Sequence, residues 1–323
     1  MTQLLSVVVP VYNEEGNVEP AYERLRAVLE ALPDVDWEMI FAVDPSTDRT
    51  EEIILGLRES EPRVKMLRFS RRFGQAMATL AGLQYASGDA TVVIDCDLQD
   101  PPEVITELVA RWREGFDVVY AQRRSRAGEL LPKRLIAWLG YRLIARVAEV
   151  EIPPDTGDFR LMSRRVVDNV VALKETHGFL RGLVGLVGFS QTSVPFDRDP
   201  RASGSSKYSD VFGSPLTALN GVFGFSRYPL RLISSLGIGF AFFAFALAIA
   251  YGALKIAGQN FPVGNPTVVI VVAFFSGVQM LSLGVMGEYV GRIYDETRQR
   301  PKFIIESSYG FATQDPARAP VPE

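Results

Sequence analysis

An apolar run, Thr91-Val-Val-Ile94, ends abruptly in Asp95-Cys96-Asp97-Leu-Gln99-Asp100-Pro-Pro-Glu103. Two carboxylates spaced i, i+2 at the mouth of a strand, where the pleat breaks down, can both reach one ligand. A third follows before a Pro-Pro helix start. Hard oxygen ligands at such a place suit Mg²⁺ or Mn²⁺ held partly by the phosphates of a substrate. An isolated Asp-x-Asp reads equally well as a solvated acidic turn, so the weight rests on what surrounds it. Cys96, the single cysteine, reads as packing filler, and the single histidine, His177, cannot build a His-rich metal centre.

The surrounding elements supply that context. Leu4–Pro10 is a near-continuous apolar strand of the kind a parallel sheet covers on both faces. It is followed by Tyr12-Asn-Glu14 and a helix with apolar residues at Val18, Tyr22, Leu25, Val28, Leu29 and Leu32. A second strand, Trp37–Val43, ends at Asp44, and Asp48 or Thr47 caps the next helix. Strands at Val64–Phe69, Ala90–Ile94 and 117–121 alternate with helices at Gly74–Ala86 and 102–114. This order predicts an α/β domain with a doubly wound, mostly parallel sheet. Ligands of such sheets bind beyond the carboxyl ends of the strands, where Asp44, Asp95 and Asp97 all fall.

A chain of 323 residues, 47% hydrophobic, has length to spare beyond one such domain. A net charge of −4 gives no basic face for nucleic acid. The amino terminus runs directly into a strand, so no signal peptide is expected. Two uncharged runs, Ile233–Leu254 and Thr267–Gly287, each reach the length of a membrane-crossing helix. Arg227 and Arg231 precede the first, and Arg292, Arg298, Arg300 and Lys302 follow the second, so both termini and the large domain are expected to face the cytosol. The expected division is 1–208 catalytic domain, 209–231 interfacial segment, 232–290 transmembrane hairpin and 291–323 cytosolic tail. The final Pro/Ala-rich residues are expected to be disordered.

Val8-Val-Pro10-Val-Tyr12-Asn-Glu14, Val43-Asp44-x-Ser-Thr-Asp48, Asp95-x-Asp97-Leu-Gln99-Asp-Pro-Pro-Glu103 and Thr156-Gly-Asp158-Phe-Arg160 together resemble the family-two glycosyltransferases of GT-A fold. The Gln-Asp-Pro-Pro-Glu extension, the Arg201-to-Tyr208 loop and the paired apolar runs make the chain similar to polyprenyl-phosphate glycosyltransferases of the bactoprenol glucosyltransferase and dolichol-phosphate mannose synthase type. That resemblance implies inverting transfer of a hexose from a nucleotide sugar to a polyprenyl phosphate at the cytosolic face of a bacterial inner membrane. UDP-glucose is the favoured donor, with GDP-mannose and UDP-amino sugars open. It also implies a Mg²⁺ or Mn²⁺ ion, with Asp97 as direct ligand, Asp95 on the metal shell or ribose and Gln99 completing the sphere. Pro10, Tyr12, Glu14 and Asp44 would line the nucleotide, although Glu14 also reads as a helix-start charge. The family usually has Asp-Asp-Gly-Ser where this chain has Asp44-Pro-Ser-Thr, so a role tied to the second aspartate is lost. Arg72 stands where asparagine is common. Oligomers, a tetramer among them, are implied as well.

Asp158 matches the family's catalytic aspartate. A lipid phosphomonoester is already largely ionised near neutrality, since its second pKa is about 6. Asp158 is therefore expected to orient the acceptor rather than act chiefly as base, with Asp155 as fallback and Arg160 as its possible pairing partner. Arginines and Lys133 between 123 and 146 interleave with leucines at four-residue steps, as in an interfacial helix. The resemblance makes Arg123 and Arg134 the candidates for contact with the donor or acceptor phosphate, to which arginine presents paired N–H donors. Arg201 and Lys207 bracket a small-residue loop that could clamp the pyrophosphate or serve as a flexible linker. His177 could approach the sugar or be an ordinary loop residue. A chain-extending polysaccharide synthase would carry more spans and a Gln-x-x-Arg-Trp motif, which this sequence lacks. A non-catalytic membrane adaptor is disfavoured by the presence of Asp97 and the basic loop.

Overall fold

The computed structural model describes residues 2–124, 156–173, 180–198, 228–258 and 264–311. Strand and helix alternate as β1 (Gln3–Val11), α1 (Val18–Glu30), β2 (Val35–Val43), α2 (Thr50–Ser60), β3 (Val64–Phe69), α3 (Gln75–Tyr85), β4 (Ala90–Val93), α4 (Val104–Arg113) and β5 (Val118–Arg123). There follow β6 (Thr156–Ser163), α5 (Arg164–Ala172), α6 (Leu180–Val187), β7 (Gln191–Phe196), α7 (Tyr228–Ile256), α8 (Asn265–Thr297) and β8 (Ile305–Tyr309). The first nine elements fall where the apolar runs predict them, with ends moved by a residue or two.

The strands form one sheet in the order β7-β5-β6-β4-β1-β2-β3-β8. β3, β2, β1 and β4 run parallel, as do β5 and β7, whereas β6 is antiparallel to both its neighbours and β8 to β3. The sheet is thus mixed but mostly parallel, the GT-A-like arrangement expected. Seven consecutive residues of β1, Leu5–Val11, are buried, because helices cover both faces. Alternation along β2 divides the core: Met39, Phe41 and Val43 pack with α1, α2 and α4, while Ile40 and Ala42 pack with α3. Fully burying a side chain such as Leu25 or Phe41 contributes about 1.5–3 kcal/mol. At Gly82 a Cβ would lie 2.2 Å from Val8 Cγ1, so only glycine lets α3 settle this closely on β1.

Two compact units emerge. One contains the sheet and its helices together with residues 301–311. The other contains α7 and α8, of 29 and 33 residues, both long and apolar enough to cross a membrane. Within that unit Phe240 meets Phe274 and Phe275 edge-on at 6.3 and 5.3 Å between ring centroids. The segment after α8, read from sequence as part of a tail, contributes β8 as an edge strand. Its run Phe303-Ile-Ile-Glu-Ser-Ser-Tyr is too short and too polar to announce a strand by itself.

Candidate active site

The parallel registers Val11↔Val43 and Val8↔Val93 bring the carboxyl ends of β1, β2 and β4 together. Antiparallel β6 enters the sheet from the same edge, with Arg160 opposite Val93, so Gly157 and Asp158 stand next to the end of β4. β5 and β7 finish there too, with Arg123 opposite Phe196. Asp44, Asp95, Asp97, Asp158 and Arg123, predicted separately from sequence, therefore share one edge. Pro10 belongs to β1 here and is buried. The Val8 carbonyl accepts from Ile94 N–H at 3.1 Å, so Pro10, two residues on, faces the same side just beyond the last pair of β4. Its missing N–H leaves no ladder bond broken.

The turn after β4 is locally held. Asp97, 8% exposed, accepts the Gln99 backbone N–H at 3.2 Å, which closes an Asx-type turn. Between them Leu98 takes a left-handed conformation, φ 56°, unusual for a leucine, while its side chain is anchored in the core. Asp95 accepts a bond from Gln75 Nε2 at 2.6 Å, which ties the turn to the first residue of α3.

Like charges crowd this edge. Removal from water, and then repulsion from Asp158, Asp100 and Asp97, push the Asp95 carboxyl up to about 7. Burial also raises Asp100, which is 3% exposed, against the pull of Arg123 and Arg198. Arg198 Nε lies 3.3 Å and Arg123 Nη2 3.8 Å from Asp100 Oδ1, yet that oxygen accepts no hydrogen bond among the described residues. Burial would raise Asp158 as well, but Arg181 and Arg160 outweigh it and hold the group below the usual carboxylate range. Arg181 Nε donates to Asp158 Oδ1 at 3.0 Å. Arg160, the partner anticipated for Asp158, donates instead to the Gly157 carbonyl at 2.8 Å, and burial lowers its pKa to about 10. Burial and the neighbouring Arg198 lower Arg123 too, and Nε of both Arg123 and Arg160 is buried without an acceptor among the described residues.

A site of this kind can take both a cation and an anion. Hard carboxylate oxygens, among them an Asp100 Oδ1 that meets no donor among the described residues, fit Mg²⁺ or Mn²⁺, and guanidiniums whose Nε meets no acceptor there fit phosphate. Among the described residues no three candidate ligands already converge on a point. An ion held by one or two carboxylates plus substrate phosphates does not require that.

On the far side of β1 the loops are laced together. Thr47 N–H donates to Asn13 Oδ1 at 2.8 Å, and Asn13 N–H to Ser46 Oγ at 3.1 Å. The N-cap of α2 is Arg49, without a side-chain cap bond, rather than Asp48 or Thr47; Asp48, one residue earlier, accepts the Thr50 backbone N–H at 3.1 Å. Asp44, 2% exposed, accepts Phe73 N–H and Gly74 N–H, each at 2.9 Å. Its carboxylate thus fixes the loop from β3 to α3. Tyr12 lies under the Arg72 guanidinium, 4.0 Å from its ring centroid. Glu14 sits at the start of α1, where its carboxylate accepts from Asn17 Nδ2 at 2.5 Å.

Arg134, Arg201, Lys207, His177 and Asp155 lie outside the described residues, as does the remainder of the 125–155 basic stretch. Three participants were not singled out from sequence: Arg181, Arg198 and Gln75. Asp100 was quoted only as part of a motif.

The class now follows. The profile of glycosyl transferase family 2 matches residues 6–171, and the chain belongs to that family of glycosyltransferases. Relatives extend over nearly the whole chain. It is 44% identical over 306 residues to the uncharacterized glycosyltransferase YkcC of Bacillus subtilis (strain 168), covering 95% of this chain and 94% of that one. It is 40% identical over 311 residues to the SfII prophage-derived bactoprenol glucosyl transferase of Shigella flexneri, covering 94% and 98%. The prophage bactoprenol glucosyl transferase homolog of Escherichia coli (strain K12) is 40% identical over 308 residues, covering 94% and 98%.

Proposed function

We propose that this glycosyltransferase moves a hexose, glucose from UDP-glucose, onto a polyprenyl phosphate with inversion at the anomeric carbon. The observation that carries the reading is the cluster of carboxylates and arginines at one sheet edge, in a chain akin to bactoprenol glucosyl transferases over 94% of its length. α7 and α8 cross the membrane as a hairpin, and the Arg and Lys flanks keep the sheet domain cytosolic. Assembly into oligomers through that hairpin goes with the same reading.

A bound Mg²⁺ or Mn²⁺ would offset the charge of the departing nucleoside diphosphate. Asp97 would hold the ion directly, with Asp95 and the Gln99 side chain contributing. Arg123 presents guanidinium donors to a phosphate, and Arg134, Arg201 and Lys207 extend that role. Asp158, held ionised by Arg181, orients the acceptor phosphate, which attacks without first losing a proton. Asp44 serves the nucleotide indirectly by fixing the Phe73–Gly74 backbone, while Pro10, Tyr12 and Glu14 shape the neighbouring wall.

The test is a donor screen with purified protein, undecaprenyl phosphate and Mg²⁺ or Mn²⁺, the lipid product being identified by mass. Glucosyl phospholipid from UDP-glucose is expected. Product from GDP-mannose or a UDP-amino sugar alone would reassign the donor, and no lipid-linked sugar from any donor would refute the proposal.

A further inference from the structure

The segment that follows α8 in the chain lies against the loop that Asp44 holds. Residues 301–311 belong to the sheet unit, and β8 pairs with β3 along Met66–Phe69. Ser70 N–H, the first residue past β3, donates to the Ile304 carbonyl at 3.0 Å. Phe303 packs edge-on against Phe69 at 6.0 Å, and Phe69 in turn against Phe73 at 5.9 Å. Phe73 and the adjacent Gly74 donate their amides to Asp44, and Gln75 then reaches Asp95. An apolar and hydrogen-bonded path thus runs without a break from Phe303 to two carboxylates of the site.

A second path is polar. Glu306 Oε2 accepts from Arg68 at 2.6 Å, Arg68 donates to Glu51 at 2.7 Å, and Glu51 accepts Ser46 N–H at 3.3 Å. Ser46 is the residue whose hydroxyl receives Asn13 N–H. Lys302 anchors the near end of the segment on the Leu173 carbonyl, and Lys65 lies 5.2 Å from the Phe311 ring centroid at the far end. The loop Ser70–Gly74 has few holds of its own: Ser70, Arg71 and Arg72 are exposed, and Gly74 is in a positive-φ conformation. Loops of this kind open at low free-energy cost unless packed from outside.

We infer that the post-hairpin segment 301–311 is a positioning strap for the donor site: Phe303 and Glu306 set the conformation of the Ser70–Gly74 and Ser46 loops that receive the nucleoside diphosphate. The inference rests on the transferase reading for its ligand but not for its mechanics. Phe303 and Glu306 are positioning residues, acting through Phe73 and Arg68 rather than on substrate.

The test uses the full-length protein in lipid nanodiscs with Phe303→Ala, Phe303→Leu and Glu306→Gln. Hydrogen exchange at the Ser70–Gly74 amides reads the strap directly, without substrate. Binding of UDP and GDP, and the donor KM against kcat, read its consequence. Phe303→Ala is expected to speed exchange at Ser70–Gly74 and to raise the donor KM and the nucleotide Kd about tenfold, the loss of a well-packed aromatic contact. The kcat at saturating donor should stay within about twofold, and Phe303→Leu should recover most of the affinity by refilling the space. Glu306→Gln should move affinity in the same direction by about threefold, as befits a half-exposed ion pair. Unchanged exchange in both Phe303→Ala and Glu306→Gln would overturn the strap. Faster exchange with unaltered nucleotide affinity would overturn its link to the donor site. A wild type that binds neither nucleotide would instead sink the transferase reading and leave the exchange data to decide the strap.

Discussion

Both ends of the sheet bury carboxylates, yet they do opposite things with them. At the amino end of the parallel strands Glu38, 4% exposed, accepts from Ser6 Oγ, Lys65 Nζ and Ser87 N–H at 2.5, 2.5 and 2.6 Å. Asp117, also 4% exposed, accepts from Arg165, Ser163 Oγ and Ser190 Oγ. Its hydrogen bonds from Arg165, then those from the two serines, hold its carboxyl down to about 2. At the carboxyl end Asp95, Asp97, Asp100 and Asp158 face one another, and Asp95 is pushed up to about 7. Saturated acids lock strands together. At the carboxyl end the acids instead crowd one another, with Asp158 held by Arg181 and one Asp100 oxygen without a donor among the described residues, and the proposed binding of a cation and a phosphate rests on that charge pattern.

The largest expected break in that contrast comes from Asp97→Asn. It removes the carboxylate assigned to the ion and one source of repulsion on Asp95 and Asp100. Transfer should fall about 1000-fold, while the melting temperature holds or rises. A variant that melts earlier and transfers normally would make Asp97 structural, like Asp117. Asp158→Asn should cost about 100-fold in kcat, with donor KM little altered, because the acceptor loses its orienting charge. An unchanged kcat would remove Asp158 from the reaction.

Asp117→Asn sharpens the other side. Stability should drop by about 1–3 kcal/mol on chemical denaturation as charged hydrogen bonds are lost, with turnover per folded molecule unaffected. Loss of turnover in step with folded protein at both ends would erase the distinction between them. The smallest effect is in pH dependence. Asp117, lowered in the fold, contributes stability above its unfolded value of 3.8 that is lost as pH falls towards about 2. Asp95 has the opposite sign: raised from 3.8 to about 7, it favours the protonated fold, so stability declines as pH rises across that window and levels off above it. Difference melting curves of wild type against Asp95→Asn and Asp117→Asn, without divalent ion, should slope in opposite directions. Matching slopes would contradict the assignment.

Much of the site was legible because parallel strands read as apolar runs and because ligands gather where such runs stop. Asp44, Asp95 and Asp97 each terminate a run, so placing them on one edge needed only the topology rule. Asp158 and Arg123 came from motif resemblance, and the strand pairing β4–β6–β5 explains why they arrive at the same place. What escaped depends on pairings between distant segments. Arg181 reaches Asp158 from α6, and Arg198 reaches Asp100 from the residues after β7, and neither carries a periodic or local signal. The Asp44 carboxylate, expected to line the nucleotide, also meets amides about thirty positions on, because the β3–α3 loop folds back over the end of β2. β8 escaped for the same reason: five half-exposed residues become a strand only when β3 offers its edge.

The most direct test of the account is release of nucleoside diphosphate from UDP-glucose by the wild-type protein, measured with and without undecaprenyl phosphate and with and without Mg²⁺ or Mn²⁺. Release that requires both the lipid phosphate and the divalent ion, with chelator abolishing it reversibly, is the predicted result. Release at the same rate in the absence of either would contradict a carboxyl-end site that joins the two.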